Sequence, residues 1–150
     1  MKFNNHMQTA LEEARKAGER GEVPVGAVVV SSKGIVISQA GNRTRELSDP
    51  SAHAEILAIR AACKFLDSER IPECDLYVTL EPCAMCAGVI SVSRIRRLYF
   101  GAYDSKSGSV LNGARIFEHP QCHHKPEIYD SLNVTECTKI LKEFFKVLRE

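Results

Sequence analysis

Two short motifs constrain this chain most: His53-Ala54-Glu55 and Pro82-Cys83-Ala84-Met85-Cys86. Their side chains offer an imidazole and two thiols, donors suited to a borderline-soft ion such as zinc, with a carboxylate alongside. To serve one ion the two segments must meet in space, so the fold has to bring them together. Three protein ligands leave one tetrahedral position open for water, whereas a structural zinc takes a fourth protein ligand. Cys63, Cys74, Cys122 and His119 are the candidates for a fourth place, and none stands at zinc-finger spacing from the pair. Glu55 lies two residues beyond the histidine, close enough to move protons for a bound water without being a ligand. The chain therefore reads as a catalytic zinc site with one Zn2+ per chain. A zinc-stabilised interaction domain is the competing reading.

Both motifs fall at predicted helix starts. Asp49-Pro50-Ser51 opens a helix of about a dozen residues, with Ser51 or Asp49 as cap and Ala54, Leu57, Ala58 and Ala61 as its apolar face. His53 and Glu55 then sit in the first turn. Residues 76–80 read as a strand that Glu81-Pro82 breaks, and Cys83 begins the next helix, to about Val92. Cys83 and Cys86, three apart, share a helix face. A helix start favours negative charge and lowers thiol pKa values. Residues 95–101 form a further strand, so a parallel pair with a right-handed crossover is expected.

Ahead of the motifs, Met7, Ala10, Leu11, Ala14 and Ala17 mark one face of a helix over 4–20. The runs 25–30 and 34–40, joined by Ser31-Ser32-Lys33-Gly34, predict an antiparallel hairpin. After the motifs come a short helix within 109–118, a strand at 127–130 and a final helix over 134–149. The sum is an α/β chain: a three-layer α/β/α sandwich around a five-stranded mixed sheet, in one domain over residues 1–150.

Apolar content of 44% and charged content of 26% are those of a soluble globular chain. A formal net charge of +1 excludes a strong overall field for nucleic acid, so any such contact needs local clustering. Six charged residues between Glu12 and Arg20 are unlike a signal peptide, and no apolar run is long enough to span a membrane. Six cysteines without a secretory signal point to a reducing, cytoplasmic setting with Cys63, Cys74, Cys122 and Cys137 as free thiols.

Local clustering is visible in two places. Arg94, Arg96 and Arg97 are close in sequence, but a strand sends alternate side chains to opposite faces. On the final helix Lys139, Lys142, Lys146 and Arg149 share a stripe, opposite Ile140, Leu141, Phe144 and Leu148. Phe145 borders the basic stripe, where an aromatic ring can stack on an unpaired base. The alternative is a solvated face, with Glu143 pairing Lys139 and Lys146 at helix spacing.

Longer stretches carry a resemblance. Glu22-Val23-Pro24-Val25-Gly26-Ala27, Gly41-Asn42-Arg43, His53-Ala54-Glu55-Ile56, the run from Leu76 to Gly88, Ser93-Arg94-Ile95, Phe100-Gly101-Ala102 and Phe144-Phe145 resemble bacterial tRNA adenosine deaminases, within the cytidine deaminase-like superfamily. The resemblance spans nearly the whole chain. It implies hydrolytic conversion of adenosine to inosine at the wobble position of a tRNA anticodon, by a homodimer. It further implies zinc on His53, Cys83 and Cys86, with Glu55 carrying protons to the purine and to the leaving ammonia. The Ala54 N–H would meet the purine edge, Asn42 would fix the flipped nucleoside, and Asp104, Lys106 and Ser107 would line a loop for flanking nucleotides. Phe145 and Arg149 are the further candidates for RNA contact. Apolar Met85, Val89 and Ile90 are consistent with pairing of two chains. Tyr103 stands where the family commonly has Arg, Gln121-Cys122-His123 replaces a Gly-x-Asn stretch, and Lys125 replaces a frequent Arg. The runner-up is a deaminase of a free base or nucleoside, such as cytosine, cytidine or guanine, which has no need of a basic final helix.

Overall fold

The apolar run at 25–30 sets the architecture. In a computed structural model describing residues 5–149, strand β1 (Gly26–Val30) is buried along its whole length. Successive side chains of a strand face opposite ways. Ala27 and Val29 accordingly join one apolar cluster, and Val28 and Val30 the other. A strand covered on both faces requires helices on both, which is why the chain folds in three layers.

β1 pairs antiparallel with β2 (Val36–Gly41) on one side and with β3 (Asp75–Leu80) on the other. β3 runs parallel to β4 (Arg97–Ala102), and β4 to β5 (Glu127–Tyr129). The order is β2-β1-β3-β4-β5, the expected five-stranded mixed sheet. On one face lie α2 (Ala54–Leu66) and α3 (Ala84–Val92), which contribute Ala58, Ile59, Ala62, Ala87 and Ile90 to the larger core. On the other lie α1 (Met7–Glu19) and α4 (Val134–Arg149), through Met7, Ala10, Leu11 and Cys137. Helix α1 sits so close to β1 that a Cβ on Gly26 would come within 1.9 Å of the Ala10 carbonyl oxygen. Only glycine permits that packing distance.

Several boundaries differ from expectation, each for a local reason. Residue 4 lies outside the described residues, and α1 starts at Met7, whose N–H donates to the Asn5 side chain at 2.9 Å. Helix α2 is not capped by Asp49 or Ser51. The Asp49 carboxylate is satisfied nearby by the Ser51 N–H (2.9 Å) and hydroxyl (2.7 Å), and His53 takes the cap position. The buried face of α2 runs through Ala54, Glu55, Ala58, Ile59 and Ala62, while Ala61 is exposed. The helix expected within 109–118 shrinks to a single turn, Ile116–Glu118. The N–H groups of Val110, Leu111 and Asn112 point instead at the Glu81 carboxylate. Gly113 and Arg115 take positive φ.

Candidate active site

His53 and Cys83 are the N-cap residues of α2 and α3, both with extended backbone (ψ 151° and 176°) and neither using its side chain as a cap. A cap residue normally spends its side chain on the first free N–H groups. Here those side chains are turned to each other, and Cys86 joins them from the first turn of α3. His53 Nδ1 lies 3.7 Å from Cys83 Sγ and 3.5 Å from Cys86 Sγ. All three donor atoms fall within 4.8 Å of one another, and no other such group occurs among the described residues. Cys63, Cys74, Cys122 and His119 are not part of it.

The donors fit zinc. Bonds of about 2.3 Å to sulfur and 2.0 Å to nitrogen at a tetrahedral angle put those atoms roughly 3.5 Å apart. Within the cluster a proton is shared unevenly. The Cys86 thiol donates to Cys83, and with His53 and the Cys86 N–H it holds the Cys83 thiol down to about 4, against burial. Cys86 is pushed far up by that same hydrogen bond and by burial. His53 is raised chiefly by its hydrogen bond to Cys83. A cation with two thiolates and a neutral imidazole around it replaces this proton sharing. Glu55, 4% exposed, lies against the cluster, and burial lifts its carboxyl above the usual range. A carboxyl so placed is positioned to take up and release protons beside the donor cluster.

The cytidine and deoxycytidylate deaminase zinc-binding region matches residues 2–102. A tRNA-specific adenosine deaminase from Agrobacterium fabrum is 58% identical over 95% of this chain and 93% of its own. One from Aquifex aeolicus is 45% identical over 95% and 93%. This chain belongs to the tRNA-specific adenosine deaminase family. A solved structure from work on A-to-I editing by tRNA deaminases at the wobble position of transfer RNA is 59% identical. It has a TM-score of 0.88 and covers 90% of this chain and 97% of its own. A guanine deaminase from Bacillus subtilis is more distant, at 28% identity and a TM-score of 0.66 over 97% and 95%.

Around the donor cluster the deaminase arranges two loops. In the first, Asn42 Oδ1 accepts the Ala54 N–H at 2.8 Å. A backbone N–H can only donate, so this bond fixes which end of the Asn42 amide faces α2. The Ala54 N–H thus has an acceptor within the protein and sits beside the Asn42 amide. Glu22, buried, accepts from Arg45 N–H (3.1 Å) and Glu46 N–H (2.9 Å) and holds this loop from below. In the second loop Asp104 Oδ1 accepts the N–H groups of Lys106 and Ser107, both at 3.0 Å, so its carboxylate shapes the turn. Lys106 and Ser107 are exposed. Gly108 bridges to Cys83, so the loop lies against the metal-binding segment.

Phe145 does come near this loop. It lines a groove of about 650 Å³ with Tyr103, Lys142 and Lys146, and Tyr103 directly precedes Asp104. Tyr103 is held by its hydroxyl, which donates to the Asp130 carboxylate and lies 2.5 Å from the Ser131 hydroxyl. The Arg149 side chain lies outside the described residues. The arginine cluster is used structurally: Arg96 pairs with Asp75, Arg97 with Glu127, and Arg94 donates to the Ser91 carbonyl. Leu148, expected on the apolar face of α4, is exposed. Gln121, Cys122 and His123 border a hollow beside Val92 on α3, not the groove. Sequence reasoning missed Glu22 and Glu81. The sequence shows where Glu81 stands, closing a strand immediately before Pro-Cys, but not the distant N–H groups that give it a role.

Proposed function

We propose that this protein deaminates adenosine to inosine at the wobble position of a tRNA anticodon, with one zinc on His53, Cys83 and Cys86. The observation that carries the RNA half is the groove of Phe145, Tyr103, Lys142 and Lys146, whose Tyr103 directly precedes the loop that bridges to Cys83 at Gly108. Aromatic rings beside lysines suit unstacked bases on a phosphate backbone. A free base needs neither.

Zinc, when bound, supplies Lewis-acid polarisation of a water. Glu55 would carry both protons of the water, the first to the purine N1 and the second, from the hydroxyl added at C6, to the departing amine. Water oxygen is added at C6 and ammonia leaves, so the reaction needs no other reactant. Asn42, its oxygen fixed by Ala54, keeps its two amide N–H donors for the nucleoside. The Ala54 N–H lies beside it, where the resemblance places the purine edge. Asp104, Lys106 and Ser107 border the path from groove to metal, with Lys106 placed for a flanking phosphate.

Two copies pair, on this reading, through α3, whose Met85 and Val92 are exposed apolar side chains; Ile90 belongs to the core instead. Among the described residues no helix is long and apolar enough to cross a membrane. The cytoplasm is the proposed setting, because the proposed substrate is tRNA.

The test is to incubate purified, zinc-loaded protein with total tRNA and, separately, with adenosine, guanine and cytidine. Inosine at the wobble position of a tRNA is expected. Brisk turnover of a free base with no tRNA product would transfer the reading to the free-base deaminases. Light scattering on the same sample is expected to give a dimer, and a fully active monomer would remove the pairing.

A further inference from the structure

Glu81 stands between the end of β3 and the Pro82-Cys83 segment, and it is 2% exposed. Among the described residues no lysine or arginine forms an ion pair with it. A buried carboxylate without a cation persists only where donors surround it. Its donors all come from one segment. Oε1 accepts the Asp104 N–H (3.1 Å) and the Asn112 side-chain amide (2.7 Å). Oε2 accepts the N–H groups of Val110 (3.2 Å), Leu111 (2.8 Å) and Asn112 (3.0 Å). Both ends of the 104–112 loop are thus tied to one side chain.

The loop is shaped to that carboxylate. A Cβ on Gly108 would lie 2.6 Å from the Glu81 carboxyl carbon and 2.4 Å from the Asp104 carbonyl oxygen. Between the tied ends, the Asp104 carbonyl accepts Gly108 N–H at 2.9 Å, and Ser109 N–H donates to the Pro82 carbonyl at 2.9 Å. No regular helix or strand stiffens 104–112. Such a segment opens readily unless its N–H groups are held.

We infer that Glu81 is a positioning residue for substrate: its carboxylate preforms the 104–112 loop as one wall of the nucleic-acid path, fixing Lys106 and Ser107 relative to Cys83. The inference rests on the deaminase reading above, because it takes that loop to touch substrate. Glu81 itself touches neither substrate nor metal. It lowers the ordering cost of binding, which appears in KM and not in the chemical step.

The test uses Glu81→Gln in the zinc-loaded full chain. Glutamine offers one acceptor oxygen, so whichever way it turns, its NH2 faces at least two of the five donors. Expected results are zinc still at one per chain, kcat within about threefold of the parent, and KM for tRNA raised about tenfold, the scale of a buried unsatisfied group. Backbone amides of 104–112 should exchange with deuterium faster while those of β3 and β4 do not. Asn112→Ala removes one donor and leaves the four backbone bonds. It should move KM and exchange the same way by about threefold, and it serves if Glu81→Gln fails to fold. Unchanged loop exchange in folded variants would overturn the clamp. Faster exchange with unchanged KM would remove the loop from the substrate path. Loss of zinc, or of kcat at constant KM, would make Glu81 part of the metal site. Exchange reads the clamp whichever substrate the parent turns over, and KM is then measured on that substrate, so failure of the tRNA reading is distinguishable.

Discussion

Replacing Glu55 and replacing Cys83 should leave opposite signatures. Glu55 lies against the donor cluster and is buried, but its carboxylate is not one of the three converging donors. Glu55→Ala should therefore keep zinc and tRNA binding while slowing the chemical step by about 10²–10⁴, the usual worth of general acid–base catalysis. Cys83→Ala removes a thiolate from a three-donor site, so zinc and folded stability should fall together, since metal binding energy is also folding energy. Zinc content and single-turnover deamination on the two variants check this. Zinc missing from Glu55→Ala, or one zinc per chain in Cys83→Ala, would reverse the assignments. These residues are legible in the sequence because imidazole, thiol and carboxylate at such spacings have few common uses. Glu81 is not legible there, because its role depends on five donors lying 23 to 31 residues further along the chain.

At the level of elements, the sheet is readable because β1 is apolar throughout and the β3–α3–β4 crossover follows from strand-helix-strand order. The stretch at 109–118 reads as helix in the sequence and is mostly loop in the fold. Helical spacing of apolar residues says nothing about a distant carboxylate that takes the N–H groups first. Glu22 does the same for the loop after β2, and this has a pH consequence. Burial alone would raise its carboxyl, yet the N–H groups of Glu46 and Arg45 and the Thr44 hydroxyl outweigh that and hold it below its ordinary value of 4.5. A carboxylate held low in the folded state stabilises the fold above its unfolded pKa. That stabilisation is lost as pH falls through the folded value. Glu22→Gln should therefore lower Tm at pH 7 and narrow the gap to the parent as pH drops below about 4.5. Thermal melts from pH 7 to pH 3 read the gap. A gap that stays constant or widens in acid would show that the charge on Glu22 is not what holds the loop.

Across the whole molecule the formal charge is only +1, so RNA affinity has to come from where the fold concentrates charge, not from a general field. The final helix is distant from the zinc motifs in sequence, yet packing α4 against β4 brings Phe145, Lys142 and Lys146 beside Tyr103, the residue leading into the 104–112 loop. Lys139 is less available, because its Nζ lies 4.0 Å from Glu143. Lys142→Ala combined with Lys146→Ala should weaken tRNA binding and flatten the slope of log affinity against log salt by roughly 1 to 2, because each phosphate that a lysine no longer neutralises takes about 0.7–0.9 off the slope. Phe145, 43% exposed, contributes a ring face and no charge. Phe145→Ala should therefore cost about 1–3 kcal/mol of binding with the salt slope unchanged. Lys139→Ala is the control and should change the slope least. Circular dichroism must first show α4 intact, because Phe144 and Phe145 pack edge to face at 5.4 Å between ring centres. Affinity across a salt series, on folded variants, then separates charge from stacking. If the double lysine variant keeps the parent's slope, α4 does not hold the RNA backbone. The groove beside Tyr103 would then have to be assigned to something other than tRNA.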